Sequence, residues 1–196
     1  MIGRQAKVLA PGALDCVLAQ LEHHAFPERD RVIMLLSVRA GLRACEIAGL
    51  TWGMILGARG QVGDWIDIRD VIAKKASGRR VPLHPELKKA LRRLLVSLPR
   101  EWRDADQPVI RSAKGGAMRP NSIVNWFVAF YASVGLEGCS SHSGRRTFIT
   151  NAARRAHTAG ASLRDVQLLA GHRSIEMTQR YIDGDSHAQR KLVSLL

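Results

Sequence analysis

Apolar residues recur three and four positions apart in four separate stretches of this 196-residue chain, and three of those stretches are opened by a proline. Pro11 precedes Leu14, Val17, Leu18 and Leu21; Pro85 precedes Leu87, Leu91, Leu94, Leu95 and Leu98; Pro120 precedes Ile123, Phe127, Phe130 and Val134. A proline has its φ set near the helical value and lacks the N–H that a first turn leaves unpaired, so each marks a helix start. The fourth stretch, Glu28 to Ala40, centres on Val32, Ile33, Leu35 and Leu36 and stops at Gly41, after which Arg43 to Leu50 reads as a short third helix. Four short helices are expected from Ser141 onward. Ser162 and Asp165 form a capping box there, Gly171 ends that helix and Ser174 caps the next.

One stretch breaks the helical pattern. Between Thr51 and Leu83, Gly53, Gly57, Gly60 and Gly63 punctuate the chain, and Trp65-Ile-Asp-Ile-Arg alternates with the period of a strand. The expected object is an antiparallel pair, Ile66 to Lys75 with Arg79 to Leu83, turning at Ser77-Gly78. Leu98 to Arg119 reads as a connector. The fold class is therefore mainly α with a small antiparallel β-sheet. The length suits one domain, placed at residues 11–184 between an extension at 1–10 and an apolar tail at 185–196.

Charge narrows the partner. Thirty Lys and Arg stand against 17 Asp and Glu, a formal +13, which points first to a nucleic acid and only second to an anionic membrane surface. The longest apolar run, Ile123 to Leu136, is interrupted by Asn125 and too short to span a bilayer; Pro11, Gly12 and Asp15 interrupt any signal-peptide core. A cytoplasmic, nucleoid-associated protein is expected, with no membrane partner. Cys16, Cys45 and Cys139 are too far apart for a zinc motif, and all three are read as reduced and buried. Of Asp64, Asp67 and Asp70, Asp67 and Asp70 face opposite sides of a strand, and His23 and His24 diverge on a helix, so no metal site is expected.

Four local patterns carry chemistry. Arg43 stands at a helix start, where the macrodipole disfavours a cation, and so suits an incoming anion; Glu46, three residues on, could steady it. Lys74-Lys75-Ala-Ser-Gly-Arg79-Arg80 is a basic hairpin able to set a lysine beside a phosphate, although many basic turns are merely solvated. In Ser141-His142-Ser-Gly-Arg145-Arg146, His142 and Arg145 share a helix face, joining a proton carrier to a phosphate-shaped fork. In the fourth, Gly171-His172 precedes Tyr181 by nine residues, and Tyr181 lies among polar neighbours, whereas Tyr131 sits in an apolar run. Together these supply two Arg, two His, a Lys and a Tyr, a set able to transfer a phosphoryl group on DNA without a metal. Arg119 and Asn121, at a helix start, and Arg146 are further candidate DNA contacts.

The ordered blocks AGLRACEIAGLTW, KKASGRRVPL, HSGRR and LLAGHRSIEMTQRY resemble the catalytic domain of the tyrosine recombinases, the family of phage integrases and Xer-type resolvases. The resemblance covers about residues 10 to 190. It implies the tyrosine recombinase catalytic-domain fold, with Arg43 and Arg145 gripping the scissile phosphate, His172 adding a hydrogen bond, His142 assisting proton transfer and Tyr181 forming a 3′-phosphotyrosyl bond. Lys74 is the implied general acid, with Lys75 the alternative or a DNA contact along with Arg79; Glu46 is implied as structural support.

Most members carry an N-terminal DNA-clamping domain. Nothing before Pro11 reads as one, so the chain resembles short, catalytic-domain-only forms such as fimbrial invertases. The implied partners are double-stranded DNA, further copies of the chain (two per site, four in a synapse) and an accessory DNA-binding protein. Other readings are a DNA-binding regulator with a relict catalytic set, or a type IB topoisomerase or telomere resolvase using the same residues.

Overall fold

The computed structural model describes residues 6–73, 77–181, 190, 193 and 194. Helices α1 (Ala13–Leu21), α2 (Pro27–Ala40) and α3 (Ala44–Gly49) are followed by strands β1 (Trp65–Ile68) and β2 (Arg79–Pro82). Then come α4 (Pro85–Ser97), α5 (Pro120–Ser133), α6 (Ser143–Arg155), α7 (Leu163–Ala170) and α8 (Ile175–Gln179). The expected prolines occupy the first turns of α4 and α5, and Pro27 does the same for α2.

Helix α2 is the centre of the molecule. Its residues Val32 through Val38 are buried on every side, and it packs against α1, α3, α4 and α6. Such a helix needs no polar face, which is why its apolar residues run together instead of forming a stripe. The aromatic face of α5 closes the core: Phe127 and Tyr131 are fully buried, and burial pushes the Tyr131 phenol up, consistent with a packing role. The connector after α4 is tied down, since Trp52 and Gly53 donate backbone N–H groups to Gln107 and Ala105, and Val109 donates to Leu50. A smaller apolar cluster of Ile149, Val166 and Ala170 joins α6 to α7 and receives the ring of Tyr181.

The sheet is shorter than expected. Ile66 pairs with Val81 and Ile68 with Arg79, but β1 stops at Ile68 instead of continuing to Lys75. Backbone N–H groups of Ile72 and Ala73 turn back onto Arg69, and the Asp70 carboxylate accepts the Gly78 N–H at 2.7 Å. These bonds replace a strand ladder with a closed loop, and Gly78 becomes the last residue before β2 instead of a turn tip. The cysteines also depart from expectation: Cys16 is exposed and Cys45 and Cys139 are half-buried, each a free thiol. Cys16 sits on the solvent side of α1, opposite the buried Val17, Leu18 and Leu21. Among the described residues no helix is long and apolar enough to cross a membrane.

Candidate active site

The site is assembled from helix ends. Gly41 ends α2 and leaves Arg43 as the residue capping α3, while Arg145 lies in the first turn of α6. Arg145 is only 3% exposed, and its guanidinium donates to the carbonyls of Gly41 and, at 2.6 Å, Ala170. These acceptors stand at the C-terminal ends of α2 and α7, where the last carbonyls lack helical partners and the dipole favours a cation. One arginine therefore holds three helices in register.

Glu46 is the second anchor. Its fully buried carboxylate accepts the Arg43 N–H at 2.8 Å, the Arg43 guanidinium at 2.7 Å, and both terminal nitrogens of Arg79 at 2.9 and 3.0 Å. Burial alone would raise its pKa, but the hydrogen bonds and charges of Arg79, then Arg43, outweigh that and hold it at about 2. Arg79 also donates from Nε to the Leu169 carbonyl at 2.8 Å. Its side chain is 5% exposed, and three of its nitrogens serve internal acceptors. The strand period carried that signal, because Arg79 shares a face with buried Val81, whereas Arg80 points outward to Asp67.

Arg79 in turn shapes the approach to His172. It lies across Gly171, whose φ of +61° and whose missing Cβ, which would sit 2.9 Å from Arg79 Cδ, both require glycine. His172 follows, its ring Nδ1 2.9 Å from Thr178 Oγ1 and its backbone carbonyl accepting Gln167 Nε2 at 3.0 Å. Burial, then the charges of Arg145, Arg43 and Arg79, lowers its pKa to about 4, so the imidazole is neutral at physiological pH. Thr178 and Gln167 are positioning residues that carried no signal in the sequence.

Tyr181 stacks on His172, with ring centroids 5.3 Å apart, and the Arg146 guanidinium lies 5.8 Å from its ring. Its backbone is pinned by Thr178 and by the Thr150 hydroxyl. A cleft of about 670 Å³ opens here, lined by Lys7, His142, Arg145, Arg146, Arg180 and Tyr181 among others. His142 caps α6 and is exposed. Burial, then the charges of Arg43 and Arg79, brings Arg145 down to about 10, offset in part by Glu46 and the Tyr181 phenol; it stays cationic near neutrality. Arg43 and Arg79 thus share the Glu46 carboxylate while Arg145 feels only its charge, which among the described residues leaves a surplus of positive charge beside a neutral imidazole and a phenol. Such an arrangement can stabilise an anionic oxygen.

The structure thus brings Arg43, His142, Arg145, Arg146, His172, Tyr181 and Glu46 into one region. Arg119 and Asn121 are exposed at the start of α5 and do not line the cleft. Lys74 and Lys75 lie outside the described residues.

A model described as the phage integrase family matches residues 7–187. The chain belongs to that family. It is 27% identical over 187 residues to the tyrosine recombinase XerC of Rickettsia prowazekii, covering 91% of this chain and 57% of that protein. Against XerC of Rhodospirillum centenum it is 30% identical over 180 residues, covering 88% of this chain and 49% of the relative. The chain thus spans about half the length of the curated relatives it matches. Among solved structures, the Tn1549 transposon integrase in complex with a circular intermediate DNA superposes with a TM-score of 0.77 at 18% identity, covering all of this chain and 67% of the other. XerH bound to palindromic difH substrate gives 0.75 at 21% identity, covering 98% of this chain and 53% of the other. The fold is that of tyrosine recombinase catalytic domains, as the sequence led us to expect.

Proposed function

We propose that this chain is a site-specific DNA recombinase that breaks and rejoins strands through Tyr181. The observation that carries the reading is the convergence, in one region, of a phenol, a neutral imidazole and a guanidinium cluster that outnumbers its carboxylates among the described residues. The Tyr181 oxygen attacks the phosphorus, the P–O5′ bond breaks, and the departing 5′-oxygen takes a proton from Lys74 or Lys75. Arg43 and Arg145 neutralise the charge that builds on the non-bridging oxygens. With Nδ1 accepting from the Thr178 hydroxyl, the His172 N–H falls on Nε2 and donates to the same phosphate. His142 relays the phenolic proton. The 3′-phosphotyrosyl bond keeps the phosphodiester's energy, so a 5′-hydroxyl from another strand reverses the step without ATP or metal.

In this reading residues 11–184 are the catalytic unit, and 185–196, largely outside the described residues, form the segment exchanged between copies paired on each DNA site. Incubation with a nicked duplex carrying the chain's own crossover site tests the proposal. The wild-type chain should become covalently attached on a denaturing gel and Tyr181→Phe should not, while still retarding the DNA on a native gel. Attachment that survives Tyr181→Phe refutes it.

A further inference from the structure

We propose that Lys7, which lines the same cleft as Arg145 and Arg180, is a DNA-phosphate ligand that grips backbone beside the scissile position. The inference rests on the strand-exchange reading above and goes beyond its residue set.

Residues 6–10 form neither helix nor strand, yet they are anchored. Leu9 is buried in the main core, and its N–H donates to the Thr147 hydroxyl at 2.9 Å. Thr147 stands two residues after Arg145 on α6, so the segment keeps register with the same helix that supplies the phosphate-binding guanidinium. Lys7 Nζ donates to the Glu137 carbonyl at 2.8 Å, and its side chain lies over Gly138, where an added Cβ would stand 2.9 Å from Lys7 Cε. An exposed lysine ordinarily samples many rotamers; this one is seated at the cleft rim.

The chemistry of the seat selects the ligand. Among the described residues the partner of Lys7 is a neutral carbonyl, which leaves the ammonium's charge and two of its three N–H donors available. Among the described residues the cleft is also lined by Arg145, Arg146 and Arg180, with Glu137 the one carboxylate. At about 670 Å³ the space exceeds one phosphate group, and a polyanionic strand meets the excess of cations along it.

The full chain is titrated with a short fluorescent duplex of mixed sequence at salt concentrations between about 50 and 200 mM. Removing one phosphate contact takes about 0.9 from the slope of log affinity against log salt, so Lys7→Gln should lose about 3.5-fold less affinity than the wild type across that range. Lys7→Arg should restore the wild-type slope. In parallel, acetylation of Lys7 by an amine-reactive ester, read by mass spectrometry, should slow when the duplex is bound. An unchanged slope in Lys7→Gln, or equal acetylation with duplex bound, overturns this inference alone. A wild-type chain that binds no duplex overturns the recombinase reading with it.

Discussion

Replacing Glu46 by Gln should loosen the site and the fold together. The carboxylate accepts four hydrogen bonds, two from Arg43 and two from Arg79, and is fully buried. The amide keeps one acceptor oxygen but turns N–H groups toward guanidinium N–H groups, and it leaves Arg79, 5% exposed, with an uncompensated charge. Breaking a buried pair in this way costs about 3–5 kcal/mol, which for a chain of this length lowers Tm by about 6–20 °C. The same carboxylate predicts an acid signature. Its folded pKa of about 2 lies below the ordinary 4.5, so its contribution is complete above 4.5 and is lost as pH falls toward 2. The amount at stake is about 3 kcal/mol. Urea denaturation between those pH values should show that loss in the wild type and little of it in Glu46→Gln. A penalty below about 1 kcal/mol, the range of exposed ion pairs, would refute the buried bridge.

Three further outcomes follow from the same geometry. His172, neutral in the fold with a pKa of about 4 against the ordinary 6.5, is protonated earlier in the unfolded chain; stability should therefore fall between pH 6.5 and 4, by up to about 3 kcal/mol, less so in His172→Gln. A Cβ at position 144 would stand 2.4 Å from Ser37 Oγ and 2.9 Å from Val38 Cγ1, so Gly144→Ala should cost about 1–3 kcal/mol by calorimetry. Adding Ser37→Gly should recover only part, because the Val38 contact remains. Arg145→Lys, which cannot span the Gly41 and Ala170 carbonyls with one fork, should slow covalent attachment about 10²–10³-fold at saturating DNA; an unchanged rate would remove Arg145 from the phosphate.

What the sequence made legible was local. The prolines that open α4 and α5, the Ser162–Asp165 box and Gly171 as a helix end all act within a few residues and stand in the structure, whereas Pro11 lies outside α1, ahead of its cap Gly12. The inward placement of Arg79 was legible too, since it alternates in step with the buried Val81. The Arg145 socket was beyond such reading: its acceptors lie 104 residues before it and 25 after it, and backbone carbonyls are the same for every sequence. The seat of Lys7 was hidden for the same reason, its partner being a carbonyl 130 residues away. The short β1 strand reflects a competition that periodicity does not see, in which Asp70 closes the loop onto Gly78.

The central claim is that the phenol at position 181 takes the 3′-phosphate. The most direct measurement is to trap the chain on a nicked duplex carrying its crossover site, digest the adduct with protease and nuclease, and sequence the nucleotide-bearing peptide by mass spectrometry. The expected product is a nucleotide joined through its 3′-phosphate to Tyr181. A linkage to any other side chain, or through a 5′-phosphate, would contradict it.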